Sequence, residues 1–304
     1  MHTDLTIPDR TKIKLLLGNQ LGEVKFQNLQ IRNESSYLGR RLLELIFDCN
    51  TGESIPAYYI KPPESQSKAP SILYCHAHGN RYDIGKQELL DGRPALQSAY
   101  AEDLIRSGYG VLCMEMPCFG ERSHLKESSL AKAHFWHGST LFGQMLAELT
   151  AGIDFLSVQE ELDKDRIATL GMSMGGTLAW WMHAMDPRII LSVSLCCFAD
   201  LGSLIEADRH DGHGQYMTVP GLLDYCTTAE LAGLSAPHPQ LFISGDQDWS
   251  TPASCFERAR IELERIYRDQ QASQQLKMLL EAGVGHEETP SMRATVNQFL
   301  HENI

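Results

Sequence analysis

Gly171-Met172-Ser173-Met174-Gly175 places a serine between two glycines, directly after the apolar run 167–170 and before a predicted helix. In a sharp turn from a strand into a helix, a side chain at either glycine would collide with neighbouring backbone, and the serine hydroxyl is left exposed at the end of the strand. The start of the helix stabilises negative charge, so the N–H group of Met174 can bind a developing oxyanion. The same five-residue pattern also occurs by chance in glycine-rich turns, so the rest of the chain has to supply partners for Ser173.

A serine hydroxyl is a weak nucleophile at neutral pH, and it needs a histidine base that an acid orients. When a serine lies in this kind of turn, the acid follows a later strand and the histidine follows the last one. His286 comes directly after the last predicted strand, and Asp246 and Asp248 follow the strand before it. Asp248 is preferred because a three-residue loop beyond the strand can carry its carboxylate to the histidine; Asp246 is the alternative, and its other role is to bind loop backbone. The predicted catalytic set is Ser173, His286 and Asp248.

A second amide donor is expected in the turn after an earlier apolar strand, in the stretch His76-Ala77-His78-Gly79-Asn80. Small residues in this turn allow backbone N–H groups to approach a substrate. The N–H of His78 is the preferred donor, and those of Gly79 and Asn80 are the alternatives. The two histidines also suggest a metal site, but no Asp, Glu or Cys pattern nearby completes a tetrahedral ligand set. We therefore predict an oxyanion hole formed by Met174 and His78, and no bound metal.

From residue 71 onward, short apolar runs alternate with helical segments, which is typical of a parallel sheet whose strands are joined by crossover helices. The predicted strands are 72–75, 110–114, 166–170, 189–195, 240–243 and 276–280. The predicted helices are 95–107, 141–159, 175–185, 252–268 and 291–301. The strand 189–195 is largely apolar without alternation, as expected where helices cover both faces of a sheet. The pattern predicts an α/β fold with a mostly parallel central sheet.

Two segments lie outside this alternation. Two β-rich runs, one on each side of the turn 50–53, predict a β-hairpin ahead of the main body. Residues 198–237 form an insertion between two strands that is too long for an ordinary connection, so we expect a lid or a pocket wall. The predicted organisation is an N-terminal extension over residues 1–40 and one domain over residues 41–304 that contains the insertion.

The charge and the apolar content limit the classes of partner. The chain of 304 residues carries 39 acidic and 26 basic side chains, a formal net charge of −13. Because no Lys/Arg-rich run follows a phosphate backbone and no apolar stretch approaches the roughly 20 residues that span a bilayer, we expect neither nucleic acid nor a membrane as partner. The N-terminus lacks the basic start and apolar run of a secretory signal, so the expected location is cytoplasmic. Eight cysteines at irregular spacing, with no C-x-x-C pair, predict reduced thiols.

Taken together, these stretches resemble the α/β-hydrolase superfamily, and within it the branch of dienelactone-hydrolase-like and acetyl-xylan-esterase-like enzymes. The likeness covers residues 44–304 and rests on the turn at Ser173, on the approach to it over 162–167, and on 213–223 within the insertion. Two positions depart from the family. Dienelactone hydrolases use a cysteine nucleophile where this chain has serine, so their substrate is not implied. Ala77 stands where many members have glycine.

The resemblance implies an α/β-hydrolase fold and a serine hydrolase that needs neither cofactor nor metal. It would cleave a small-molecule carboxylic ester through an acyl-enzyme, with Ser173 as nucleophile, His286 as base and Asp248 as the orienting acid. A peptidase or amidase would use the same three residues and is the alternative. A non-catalytic binding protein on this scaffold is a third reading, against which the complete catalytic set argues. The acyl part, the alcohol part and the oligomeric state stay open, and a homo-oligomer is compatible with the sequence.

Overall fold

A nine-stranded sheet forms the centre of residues 7–304, the part of the chain that the computed structural model describes. Its strands are β1 (Phe26–Tyr37), β2 (Arg40–Cys49), β3 (Ser54–Ile60), β4 (Ala69–Cys75), β5 (Gly110–Met114), β6 (Leu162–Met172), β7 (Ile189–Leu195), β8 (Gln240–Gly245) and β9 (Leu276–Glu281). They lie in the order β1-β2-β3-β5-β4-β6-β7-β8-β9. The first three pairs in this order are antiparallel and the others are parallel. Residues 1–6, which the prediction about a secretory signal concerns, lie outside the described residues.

Helices cover both faces of the sheet. They are α1 (Arg10–Leu16), α2 (Glu88–Asp91), α3 (Tyr100–Arg106), α4 (Glu127–Trp136), α5 (Leu141–Ser157), α6 (Met174–Met185), α7 (Leu201–Glu206), α8 (Thr228–Ala232), α9 (Ala253–Asp269) and α10 (Pro290–Asn303). Alternate residues of a strand face opposite sides of a sheet. Leu73 of β4 accordingly packs in the apolar cluster that includes α5, α6 and α9, and its neighbours Ile72 and Tyr74 pack in the cluster that includes α3 and α10. Burial on both faces explains why these strands are apolar without alternation.

The predicted α/β fold with a mostly parallel sheet is confirmed. β5 and β7 begin and end at the predicted residues, and the other predicted parallel strands extend further at one or both ends. The predicted hairpin is formed by β2 and β3, in which Leu45 pairs with Ala57. Among the helices of residues 7–304, none has both the length and the apolar character needed to cross a membrane.

The first strand is the main element that the sequence pattern did not predict. β1 spans twelve residues at the edge of the sheet, and ten of them are exposed. Its polar residues show no alternation, so nothing in them indicates a strand; β2 imposes the extended conformation through an antiparallel ladder. Residues 26–37, predicted as part of an N-terminal extension, are therefore part of the sheet. The division of the chain into domains at residue 40 stays a prediction.

The insertion 198–237 connects β7 to β8 at the carboxyl edge of the parallel strands. It contains α7 and α8, and the latter begins with a capping box in which Thr227 and Glu230 satisfy each other's backbone N–H groups. The N–H of Leu201 donates to the hydroxyl of Thr228, which ties the two helices together. The same edge of the sheet carries the loops after β4, β6, β8 and β9, where ligands bind in open α/β folds.

Candidate active site

Ser173 is the residue between β6 and α6, and its backbone has φ 56° and ψ −122°. A positive φ in a residue other than glycine is strained and persists only where the surrounding structure imposes it. A Cβ atom at Gly171 would lie 2.3 Å from the carbonyl carbon of Gly175, and one at Gly175 would lie 1.9 Å from the carbonyl oxygen of Cys75. The glycines are therefore required by the close approach of β4, β6 and α6, which forces the sharp turn at the serine.

Backbone hydrogen bonds hold this turn on both sides. The N–H of Ser173 donates to the carbonyl of Leu195 at 2.8 Å, and the carbonyl of Ser173 accepts from the N–H of Thr177 at 2.9 Å. α6 begins at Met174 without a side-chain cap. Within residues 7–304 the N–H of Met174 therefore has no acceptor from a capping side chain, and an uncapped helix N-terminus favours an anion.

The structure brings His286 and Asp248 together. Nδ1 of His286 lies 2.9 and 3.0 Å from the two carboxylate oxygens of Asp248. Ser250 donates to the same carboxylate from both its N–H and its hydroxyl, at 2.8 Å each. The alternative acid Asp246 accepts the N–H of Gly283 at 2.7 Å instead. Of the two aspartates after β8, Asp248 is the one that binds the imidazole.

The environment of Asp248 keeps its carboxylate ionised. The residue is 2% exposed, and this burial raises its pKa, but the hydrogen bonds from His286 and Ser250 lower it by more, so the pKa of Asp248 lies below its ordinary value. A carboxylate bonded to Nδ1 fixes the hydrogen of the neutral ring on that nitrogen. The other ring nitrogen, Nε2, is then the basic one.

A buried carboxylate two residues after His286 holds the loop after β9 in place. Glu288 is 1% exposed and accepts hydrogen bonds from the hydroxyl of Tyr100 and from the guanidinium of Arg293, the latter at 2.7 and 2.8 Å. It also accepts the N–H of Gln97 at 3.1 Å. This network ties the loop after β9 to α3 and α10, and no local sequence signal marks it.

Ser173 and His286 line one cavity of about 360 Å³. Among the hydrogen bonds of residues 7–304, none joins the serine hydroxyl to the imidazole; this contact is often long in a free enzyme and shortens when substrate binds. The insertion supplies much of the cavity wall, through Leu201, Leu204, Gly212, His213, Gly214, Tyr216 and Met217.

The turn after β4 leaves two N–H groups for a ligand. The N–H of Ala77 donates to both carboxylate oxygens of the buried Glu88, at 3.0 and 3.2 Å. The N–H of Asn80 donates to Nδ1 of His78 at 3.0 Å. Asn80 is therefore removed from the candidate oxyanion donors. The predicted donor His78 and its alternative Gly79 keep N–H groups that bind no other protein atom within residues 7–304.

His76, the first histidine of this turn, is fully buried. Its Nε2 accepts the N–H of Met116 at 3.1 Å, and its Nδ1 lies 3.1 Å from the carbonyl oxygen of Ala77. Burial lowers the pKa of His76 to about 4, so the ring is neutral at pH 7. Nε2 therefore holds the turn against the loop after β5, and Nδ1 makes a contact within the turn itself.

A second cavity of about 740 Å³ opens beside the first. The two share the residues His78, Asn80, Gly212, His213 and Gly214. The second cavity is further lined by Tyr82, Ser123, Leu125, Lys126, Glu127, Ser128, His210, Asp211, Gln215 and Thr218. Most of these side chains are polar, so this compartment suits a ligand that forms hydrogen bonds.

The insertion also contacts the loop that carries Asp248. Nε2 of His213 lies 3.0 Å from the carbonyl oxygen of Ser250. The ring of Trp249 contacts two imidazoles, with its centroid 5.7 Å from that of His213 and 5.7 Å from that of His286. The mouth of the site is thus formed jointly by the insertion and the loop after β8.

A thiol lies against the acid and the histidine. The ligand-type atoms of Cys196, Asp248 and His286 all lie within 4.8 Å of one another. The carboxylate and Nδ1 are already bonded to each other, and burial raises the pKa of the Cys196 thiol well above its ordinary value, so the sulfur is protonated. The contacts of this group within residues 7–304 are those of a hydrogen-bonded pair beside a neutral thiol.

Known proteins are similar to this chain over most of its length. A family model described as "alpha/beta hydrolase fold" matches residues 70–236. The "Putative hydrolase YtaP" of Bacillus subtilis (strain 168) is 36% identical over 259 residues, which are 85% of this chain and 86% of that protein. The chain belongs to the α/β-hydrolase family. The expected resemblance is thereby confirmed, and with it the expectation of a hydrolytic enzyme.

Solved structures share the fold of this α/β hydrolase. Methylesterase BT1017 superposes with a TM-score of 0.73 at 22% identity, and the match covers 96% of this chain and 62% of that one. Acetyl Xylan Esterase 1 from Thermoanaerobacterium sp. JW/SL YS485 gives a TM-score of 0.66 at 18% identity and covers 98% and 95% of the two chains. The predicted likeness to acetyl-xylan-esterase-like enzymes is confirmed at the level of the fold.

Proposed function

We propose that this α/β hydrolase cleaves carboxylic esters, with Ser173 as nucleophile, His286 as general base and Asp248 as the acid that orients the base. The observation that carries the proposal is the pair of contacts between Asp248 and Nδ1 of His286, beside a cavity that Ser173 also lines. These contacts leave Nε2 of His286 for the serine proton. The fold shared with a methylesterase and an acetyl xylan esterase supports an ester as the bond that is cleaved.

In the first half of the reaction, Nε2 of His286 takes the proton of Ser173 while the serine oxygen attacks the ester carbonyl. Negative charge collects on the carbonyl oxygen, where the N–H groups of Met174 and His78 donate to it, each lowering the barrier by about 3 kcal/mol. His286 then gives the proton to the alcohol oxygen, the bond between that oxygen and the acyl carbon breaks, and the alcohol leaves. The acyl group is now carried by Ser173.

In the second half, water takes the place of the alcohol. His286 removes a proton from the water while the water oxygen attacks the acyl carbon, and the same N–H groups stabilise the second oxyanion. The proton passes back to the oxygen of Ser173, and the carboxylic acid leaves. Asp248 stabilises the imidazolium in both halves because its carboxylate is ionised and bonded to Nδ1.

The two cavities support a binding mode in which the acyl part of the ester lies in one cavity and the alcohol part in the other. The cavity at Ser173, about 360 Å³, lies near the lower end of the size range of ligand sites and favours a short acyl group. The adjoining cavity of about 740 Å³ has polar walls and favours a polar alcohol part. The residues that both cavities share would then lie beside the ester bond itself.

Turnover of 4-nitrophenyl acetate by the Ser173→Ala variant tests the proposal. Because the variant lacks the attacking oxygen, we expect kcat to fall by about 10³-fold or more, and a fluorophosphonate probe to label the parent protein at Ser173 only. The Ser67→Ala variant, changed in an exposed loop, is the matched control and should keep the parent activity. Retention of most of the turnover by Ser173→Ala would contradict the proposal.

Comparison of an ester with an anilide separates the esterase from the peptidase or amidase alternative. An amino-terminal anchor for a peptide would need a free acidic group near the site; Glu206 binds Arg258, and only Asp211 among Glu206, Asp208 and Asp211 lines a cavity beside the site. We expect 4-nitrophenyl acetate to be turned over at least about 10²-fold faster than alanine 4-nitroanilide. The reverse preference would favour the alternative.

A further inference from the structure

A buried glutamate outside the catalytic set joins the turn after β4 to the insertion. Glu127 is the first residue of α4, and its side chain is 4% exposed. Its carboxylate accepts from Nε2 of His78 at 2.6 Å, from the hydroxyl of Tyr82 at 3.2 Å and from the N–H of Tyr216 at 3.1 Å. One side chain therefore binds three segments that are far apart in the sequence.

The hydrogen bonds of His78 define its tautomer. Because the N–H of Asn80 donates to Nδ1, that nitrogen carries no hydrogen, and the hydrogen lies on Nε2, which donates to Glu127. The imidazole is neutral in this arrangement. Burial raises the pKa of Glu127, but the hydrogen bonds from His78, Tyr216 and Tyr82 lower it by more, so the carboxylate is ionised.

The insertion packs closely against Glu127 and His78 at Gly214. A Cβ atom at Gly214 would lie 2.9 Å from a carboxylate oxygen of Glu127 and 3.0 Å from Nε2 of His78. The ring of Tyr216 stacks on that of His78 at a centroid distance of 5.7 Å. The side chain of His78 is consequently held on one side by Glu127 and covered on another by the insertion.

We infer that Glu127 is a positioning residue for the oxyanion hole. By fixing the ring of His78, it fixes the backbone of the turn whose N–H groups at His78 and Gly79 bind no other protein atom among residues 7–304. The turn benefits from such support because Asn80, a residue other than glycine, has a φ of 53°. The inference rests on the proposed function, since it concerns the donors that stabilise the ester's oxyanion.

A positioning role predicts that neutralising Glu127 lowers kcat, whereas electrostatics alone predicts that it raises kcat. A buried negative charge beside the turn opposes the formation of a second negative charge on the substrate. Removal of that charge without a change in geometry would therefore lower the barrier and raise kcat. A fall in kcat in an uncharged variant of the same size reports lost positioning.

The Glu127→Gln variant provides this test. The side-chain amide of Gln has the same size as the carboxylate, but one carboxylate oxygen, an acceptor, is replaced by an NH₂ group, which only donates. At least one of the three donors that bind Glu127 therefore loses its acceptor. We expect kcat for 4-nitrophenyl acetate to fall about 10-fold while KM stays within about threefold. The Ki of phenylboronic acid, which forms a tetrahedral adduct with the serine, should rise by the same factor as kcat/KM falls.

Glu148→Gln is the matched control for lost stability. Glu148 is also buried and accepts three hydrogen bonds, two from Arg122 at 2.6 and 2.9 Å and one from Gln144 at 2.8 Å, but it lies on α5 and lines neither cavity. Its variant should have a lowered Tm and an unchanged kcat. Glu127→Asp, whose shorter carboxylate keeps the charge but not all three contacts, should show a smaller fall in kcat than Glu127→Gln and serves if the latter does not fold.

Two results would overturn the inference: a kcat of Glu127→Gln equal to that of Glu148→Gln, or a fall in kcat without any rise in the Ki of phenylboronic acid. Failure of the proposed function gives a different result. In that case the parent protein itself would lack esterase turnover and fluorophosphonate labelling at Ser173.

Discussion

At the scale of single residues, two aspartates of one loop have different partners. Asp248 binds Nδ1 of His286 and two donors of Ser250. Asp246, two residues earlier, is exposed and accepts a backbone N–H from Gly283. The residue type is the same, so the difference in role comes from where the loop after β8 meets the loop after β9. In the sequence, the length of the loop after β8 is what favours Asp248 over Asp246 as the partner of the histidine.

Replacement of Asp248 by Asn should cost activity far beyond its effect on folding. The side-chain amide would present an N–H to Nδ1 and favour the tautomer in which Nε2 carries the hydrogen, so His286 could no longer accept the serine proton. We expect kcat for 4-nitrophenyl acetate to fall about 10⁴-fold. The Asp246→Asn variant is the control, with kcat within about threefold of the parent. Equal losses in the two variants would contradict the assignment of Asp248.

At the scale of elements, the turn between β6 and α6 depends on two glycines whose absent side chains let three elements meet. Gly175→Ala would place a Cβ atom 1.9 Å from the carbonyl oxygen of Cys75, an atom of the β4 backbone that has no freedom to move aside. We expect the free energy of unfolding in urea to fall by about 3 kcal/mol. Gly285→Ala, where a Cβ atom meets nothing within 4 Å, should change it by less than about 0.5 kcal/mol. A similar small change in both variants would show that the contact is relieved without cost.

The elements that the sequence predicted are specified by residues close to them in the chain. β5 and β7 are short apolar runs between turn residues, and burial on both faces is sufficient to specify them. The sequence could predict that Ser173 and His286 come close together, as they do at one cavity, because the turn pattern and the order of the strands specify their neighbourhood. β1 could not be found, because its exposed polar residues take their conformation from β2.

The buried carboxylates around the site were missed for a different reason. Glu88, Glu127 and Glu288 are buried. Glu127 and Glu288 bind partners that lie far along the chain; Glu127 and Tyr216, for example, are 89 residues apart. A glutamate in a sequence has the same appearance on the surface and in the interior. Only the folded arrangement reveals which carboxylates fix the loops that carry His78 and His286.

At the scale of the whole molecule, buried neutral histidines make stability depend on pH. His183 of α6 is 1% exposed and lies 3.0 Å from the hydroxyl of Ser192. Burial, together with the charges of His238 and Arg10, lowers the pKa of His183 to about 3. In the unfolded chain the same group binds a proton below its ordinary pKa of about 6.5. Between these two values the unfolded state binds more protons, so stability falls as the pH falls.

Urea unfolding of the parent and of His183→Gln at pH 7 and pH 4.5 tests this dependence. The parent should lose free energy of unfolding between the two pH values, because His183 stays neutral in the folded protein and is protonated in the unfolded one. The loss in His183→Gln should be smaller by about 3 kcal/mol, at about 1.4 kcal/mol for each pH unit below the ordinary pKa. The comparison of losses removes the effect of the substitution at neutral pH. An equal loss in both proteins would contradict the assigned pKa of His183.

The position of Trp249 has a consequence for optical spectroscopy. The chain has four tryptophans; Trp180 and Trp181 are buried in the core, and Trp136 is 89% exposed on the outer surface. Trp249 is half exposed, and its ring lies 5.7 Å from the ring of His286. Indole emission responds to the polarity around the ring and is quenched by a neighbouring imidazolium. The enzyme therefore carries its own fluorophore at the mouth of the candidate site, beside the histidine that we propose as the general base.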